Sequence, residues 1–130
     1  MGTGGVMDMR ESVDAIKAEL GKGELVIRPR QTGKTAALFE FIHEHDPGNV
    51  NVITCHVRMA QLMKQRYKEQ YRDYPQPSFI PLEWVNNRDV RGTNRRWATD
   101  EVWPSSVIKR APDYEYVDYI GGVGTPLCME

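Results

Sequence analysis

The sequence predicts an α/β fold, a mostly parallel sheet of about five strands with helices on both faces. Three observations predict it. Short apolar runs alternate with stretches of helical periodicity along the chain. One of those runs is followed by a Gly-Lys-Thr turn and then a helical pattern. At 130 residues, with 40% hydrophobic and 27% charged residues, the chain has the length and composition of one soluble globular domain with one core. Residues 1–7 are expected to be a disordered leader and 8–130 the folded domain.

Met9, Val13, Ile16 and Leu20 recur at helical spacing, and Gly21 closes that helix. Leu25 to Ile27 reads as a short, fully buried strand. Ala36, Ala37, Leu38, Phe39, Phe41 and Ile42 form an apolar helix that Asp46-Pro47-Gly48 terminates. Val50 to Cys55 is the second strand. Met59, Ala60, Met63, Tyr67 and Tyr71 mark one face of a helix from about Val57 to Tyr71, and the other face carries Arg58, Lys64, Arg66 and Lys68. Ser78 to Leu82 is a third strand that Pro81 confines to an edge or an end. Trp97-Ala98-Thr99 is a weak strand, less apolar than a central one should be. Pro104 to Arg110 allows one or two helical turns. Tyr116 to Ile120 is a last strand, running into Gly121-Gly122-Val123-Gly124-Thr125-Pro126.

The segment Arg28-Pro29-Arg30-Gln31-Thr32-Gly33-Lys34-Thr35, between a strand and a helix, is where a phosphate-binding loop belongs. N–H groups at a helix N-terminus wrap a phosphate, and the helix dipole favours its charge. Lys34 reaches the β- and γ-phosphates, and the Thr35 hydroxyl is a ligand for Mg²⁺. The first glycine of the usual G-x-x-x-x-G-K-[ST] pattern is replaced by Arg28. Such a loop needs acids: one beside Mg²⁺ and one to orient or deprotonate the attacking water. Asp100-Glu101 supplies both side by side. Asp118 is the rival for the metal-side role, after a better strand pattern but without an adjacent Glu.

Arg30-Gln31-Thr32-Gly33-Lys34-Thr35 resembles the phosphate loop of the large terminase subunits of tailed phages, motors that drive DNA into empty capsids. Their loop commonly lacks the first Gly and carries an Arg-Gln pair. An Arg-Gly pair precedes their acidic pair, as Arg91-Gly92 precedes Asp100-Glu101 here, and a Thr-rich coupling motif follows a strand, as Gly124-Thr125-Pro126 does here. The order of motifs also resembles the first core domain of superfamily-2 helicases; the Arg-Gln loop and Arg-Gly pair favour terminase. The resemblance implies a P-loop NTPase fold in a truncated or stand-alone form, with ATP and Mg²⁺ as cofactors. It implies that Lys34 and Thr35 hold phosphate and Mg²⁺, Arg30 stabilises transition-state charge, Asp100 is the metal-side acid, Glu101 the catalytic acid and Thr125 the γ-phosphate sensor. Arg28 to Thr35 would form the nucleotide-binding set together with Thr125. The chain has no room after Thr125 for a lid subdomain or nuclease, so hydrolysis is expected more than packaging by this chain alone.

A non-catalytic, nucleotide-dependent regulatory module and a helicase-like fragment are the alternatives. Partners beyond the nucleotide are DNA or a phage or host protein, and an oligomer is compatible. The formal net charge of −1 announces no overall basic field, so any nucleic-acid contact must use a local patch. Arg88, Arg91, Arg95 and Arg96 form one such cluster, for which a solvated loop is an equal reading. Cys55 and Cys128 have no metal or disulfide spacing, and no apolar run approaches a membrane span, so a cytoplasmic site is expected, the host cytoplasm if phage-encoded. His43, His45 and His56 do not have the spacing of a metal site; His45 suits a helix-dipole partner. Trp84 and Trp103 are expected as core or edge aromatics.

Overall fold

The computed structural model describes residues 9–86, 96–112, 114 and 118–126. Expectations for the leader, for Arg88, Arg91-Gly92 and Arg95, for Tyr116 and for Cys128 lie outside these residues. The elements are α1 (Met9–Leu20), β1 (Leu25–Ile27), α2 (Lys34–His43), β2 (Val50–Thr54), α3 (Val57–Gln70), β3 (Ser78–Pro81), β4 (Arg96–Asp100), α4 (Pro104–Arg110) and β5 (Asp118–Gly124). The strands form one sheet in the order β1-β5-β4-β2-β3, and every neighbouring pair is parallel.

Side chains alternate across each strand, so one strand feeds two cores. Val50 and Val52 of β2 and Ala98 of β4 join Val26, Ile120 and Val123 under α1, α2 and α3, against Ile16, Leu20, Leu38, Ile42, Met63 and Tyr67. Ile53 and Trp97 point the other way, into a smaller cluster with Ile80, Val85, Val102, Val107 of α4 and Tyr114. Among the described residues helices therefore cover both faces, α1, α2 and α3 on one and the short α4 on the other.

Three strands differ from their sequence expectation. β1 is an edge strand, and only its central Val26 is fully buried. β4, polar in sequence, is the central strand, with Trp97, Ala98, Thr99 and Asp100 all buried. Its polarity is accommodated because β5 presents glycines to it. A Cβ on Gly122 would stand 1.9 Å from Thr99 Oγ1, so only glycine lets the two strands close. For the same reason β5 does not stop at Ile120 but continues through Gly121 and Gly122 to Gly124. β3 lies at the opposite edge, as Pro81 requires.

Among the described residues no helix is long and apolar enough to cross a membrane. Met63 and Tyr67 of α3 are core, with Met59 and Tyr71 packed beside them. Trp84 is 49% exposed rather than core, and Trp103 is partly buried.

Candidate functional site

Because the strands are parallel and in register, their C-terminal ends open on one rim. The segment Arg28–Gly33 leaves β1 there, Asp100 ends β4 with Glu101 directly after it, and Thr125 follows β5. Asp100 stands opposite both Val123 of β5 and Thr54 of β2. This is the rim where open parallel sheets bind ligands.

The loop is shaped by local chemistry. Gln31 has φ 61° and Gly33 φ 85°, both left-handed. A Cβ on Gly33 would lie 2.8 Å from Val13 Cγ2 and 2.9 Å from Met9 Sδ, so α1 packs against the loop at a point that only glycine fits. The Ser12 hydroxyl, also on α1, donates to Thr32 O at 2.5 Å. The Thr32 hydroxyl and Lys34 Nζ both donate to Pro29 O, at 2.8 and 2.9 Å. The turn is thereby closed around Pro29. The first intrahelical bond of α2 runs from Ala37 N–H to Gly33 O, which leaves the N–H groups of Lys34, Thr35 and Ala36 at the helix mouth without an intrahelical acceptor.

The acids meet this loop. The Thr35 hydroxyl donates to Asp100 Oδ2 at 3.3 Å. Lys34 Nζ lies 3.7 Å from Glu101 Oε1, and Lys34 is 93% withdrawn from solvent, its exposure being 7%. Glu101 has φ 60°, a conformation that costs a non-glycine residue on the order of 1 kcal/mol or more. That turn aims its carboxylate sideways at the end of β5. There Thr125 donates to Glu101 Oε2 twice, from its N–H at 3.0 Å and its hydroxyl at 2.5 Å. Glu101 N–H donates to Val123 O at 2.8 Å, which fixes the turn. The Cys55 thiol donates to Glu101 O at 3.4 Å from the end of β2.

Asp100 is 3% exposed, and its pKa is pushed up to about 7. Burial is the largest cause, the neighbouring Glu101 charge adds to it, and the Thr35 hydroxyl and Lys34 oppose it. A carboxylate held this way gains most from a cation placed beside it.

Lys34, Thr35, Asp100, Glu101 and Thr125 are thus brought together. Arg30 and Gln31 are exposed on the loop. Arg28 is placed otherwise than expected. Its guanidinium pairs with Glu19 of α1 and donates to Ile27 O, and its N–H donates to Gly124 O at 2.9 Å. Its guanidinium and its backbone N–H thus tie the start of the loop to α1, β1 and β5, so Arg28 acts as a brace. Asp118 opens β5 opposite Arg96, about 13 Å of strand away from Asp100. It lies at the other rim of the sheet and cannot serve this site.

The three histidines have separate uses. His43 stacks on Tyr71 with centroids 4.0 Å apart, His45 Nδ1 is 2.7 Å from Phe41 O, and His56 Nδ1 accepts from Met59 N–H as the cap of α3. Arg96, the described member of the basic cluster, donates to His45 O at 2.8 Å.

Sequence reasoning did not find Ser12, Val13 or Glu19 as supports of the loop. They precede it by up to twenty residues, and no spacing rule connects a helix face to a loop that it reaches only after folding. Compared with known protein families and with curated proteins, the chain matches none.

Proposed function

We propose that this chain binds Mg²⁺-ATP and hydrolyses it as a small P-loop ATPase of the terminase-like kind. The reading rests on one observation: a buried lysine, a loop threonine and two adjacent acids converge at the ends of neighbouring parallel strands. Hard oxygen donors suit Mg²⁺, and the Thr35 hydroxyl and the Asp100 carboxylate form such a pair. The raised pKa of Asp100 fits the same assignment, since an adjacent cation removes the charge penalty of burial.

When bound, Mg²⁺ neutralises charge on the β- and γ-phosphate oxygens. The protein groups do the rest. The N–H groups of Lys34, Thr35 and Ala36 receive phosphate oxygens at the mouth of α2. Lys34 exchanges Pro29 O for a phosphate oxygen. Glu101 accepts a hydrogen bond from the attacking water and orients it. Arg30, exposed on the loop, meets developing charge on the transferred phosphoryl group.

A second reading, nucleotide-dependent binding without turnover, is favoured by the contacts of Glu101 itself. Thr125 holds one carboxylate oxygen with two hydrogen bonds and Lys34 stands 3.7 Å from the other, so part of the acid's accepting capacity is already committed within the protein. Thermal shift with Mg²⁺-ATP and phosphate release on the same preparation separate the readings. A ligand at one hundred times its Kd stabilises by about 2.7 kcal/mol, several degrees of Tm for a domain of this size. Lys34→Ala should remove that shift. Stabilisation without released phosphate selects the switch, and no stabilisation at millimolar nucleotide refutes both.

A further inference from the structure

We infer that Ser12 of α1 is a positioning residue for the phosphate loop: by holding Thr32 O it aims the N–H of Gly33 at the phosphates of a bound nucleotide. The inference deepens the nucleotide reading and rests on it. Ser12 is half-buried, and its one O–H is committed to Thr32 O at 2.5 Å. Thr32 O and Gly33 N–H belong to one trans peptide, whose two groups point in opposite directions. A carbonyl drawn towards α1 therefore turns the Gly33 N–H away from α1. That N–H has no acceptor among the described residues. It precedes the N–H groups of Lys34, Thr35 and Ala36 at the mouth of α2 and extends their row by one donor.

Such a tether is needed because the residue after Thr32 is glycine. α1 packs Val13 and Met9 so close to Gly33 that no Cβ fits there. Yet glycine is the residue that least resists rotation of the peptide before it. Turning the Thr32–Gly33 peptide over would carry the Gly33 φ from 85° to the negative side, which glycine accepts about as readily. It would also put a carbonyl oxygen where the N–H stood, facing the negative charge of the phosphates. Val13 and Met9 act on the Cα of Gly33 and do not choose between the two orientations. The Ser12 hydrogen bond does.

The helix that carries Ser12 is itself fixed. On one side of Ser12, Arg10 pairs with Glu40 of α2. On the other, Lys17 pairs with Glu40 and with Glu44 just after α2. Farther along, Glu19 pairs with Arg28 at the start of the loop. Val13, Ile16 and Leu20 bury the inner side of α1. The Ser12 hydroxyl is thus a fixed point against which the loop is set. Ser12 acts on the nucleotide only through the Thr32–Gly33 peptide, so its removal should change how phosphate is met and not whether the domain folds.

Nuclear magnetic resonance on the full chain is the test. Only Gly4 and Gly33 follow a threonine, so threonine labelled with ¹³C at the carbonyl and glycine labelled with ¹⁵N single out two amides, and Thr3→Ser removes the other one. In the wild type Mg²⁺-ATP should move the Gly33 amide proton downfield, as its bond to an anionic oxygen forms. In Ser12→Ala most of that displacement should be lost, and the calorimetric Kd for Mg²⁺-ATP should rise about tenfold, as for one hydrogen bond to a charged group. Without nucleotide the same signal should broaden by exchange in Ser12→Ala, as the peptide samples both orientations. Ser12→Thr keeps the hydroxyl and should restore all three properties, whereas the isosteric Ser12→Val should not. Circular dichroism of the free variants should match the wild type. A wild-type Kd and Gly33 signal in Ser12→Ala would overturn the positioning role and leave the nucleotide reading standing. Equal losses in Ser12→Thr and Ser12→Ala, or nucleotide binding to the wild type that leaves Gly33 unmoved, would do the same. A wild type whose melting, calorimetry and Gly33 signal all ignore millimolar Mg²⁺-ATP refutes the nucleotide reading itself, and the inference with it.

Discussion

Two lysines of this chain sit among acids, and the surroundings give them opposite consequences. Lys17 bridges Glu40 and Glu44 on the outer side of α1 and α2, with Arg10 sharing Glu40. Lys34 faces Glu101 at the strand ends, beside Asp100. In the first cluster hydrogen bonds from Arg10, and then from Lys17, hold Glu40 below the usual carboxylate range. In the second, burial overrides the nearby lysine and lifts Asp100 to about 7. Like residues thus make a charge-satisfied brace where water reaches them and a site short of positive charge where it does not.

Breaking the buried cluster should have the largest effect. Glu101→Gln keeps the shape and removes the carboxylate, so turnover should fall by roughly 10²–10⁴-fold with nucleotide Kd nearly unchanged. Single-turnover phosphate release measures it, and equal rates in wild type and variant would remove Glu101 from the chemistry. Arg30→Ala comes next. Arg30 is exposed, so it should matter to the rate, by up to roughly 10³-fold, more than to affinity, and Arg30→Lys should not fully restore it because the planar fork of donors is lost. A Kd that rises as far as the rate falls would make Arg30 a binding residue.

The pH response sharpens the comparison, because the two clusters carry opposite signs. Asp100 titrates near 3.8 when unfolded and about 7 when folded, so the folded state holds the extra proton between those values. Stability should therefore fall as pH rises from about 4 to 7 and level off above, by an order of a few kcal/mol at roughly 1.4 kcal/mol per pKa unit. Asp100→Asn should flatten that slope in urea titrations. Affinity for Mg²⁺-ATP should rise over pH 6–8 in the wild type and not in Asp100→Asn, as calorimetry would read. Glu40, with its lowered pKa, contributes stability present above its unfolded pKa and lost as pH falls through its folded one. The smallest effect belongs there. Lys17→Met should cost less than about 1 kcal/mol, since Glu40 keeps Arg10 as a partner and Glu44 stands at the surface. A loss of several kcal/mol would show the outer cluster to be structural after all.

Most of the elements were legible because periodicity and punctuation are local. Leu20-Gly21 closes α1, Asp46-Pro47-Gly48 stops the segment after α2, and Pro81 sends β3 to an edge. β4 and β5 were the least legible. Thr99 and Asp100 look too polar for a central strand, and Gly121-Gly122 looks like a turn. Each makes sense only against the other, because glycine on β5 makes the room that Thr99 on β4 occupies. The choice between Asp100 and Asp118 was open for a similar reason. Both follow strand patterns, and sequence carries no direction that says which rim of the sheet each will reach.

By itself the sequence determined the class of fold, the loop from Arg28 to Thr35 and the adjacent acids, because each is written in residues that are neighbours along the chain. Tertiary structure alone decided that Asp100 is buried and its pKa raised, that Arg28 braces the strand, that Thr125 grips Glu101 and that α1 shapes the loop through Ser12 and Val13. Those properties depend on desolvation and on contacts between segments far apart in sequence, and both come into being only when the parallel strands align their ends.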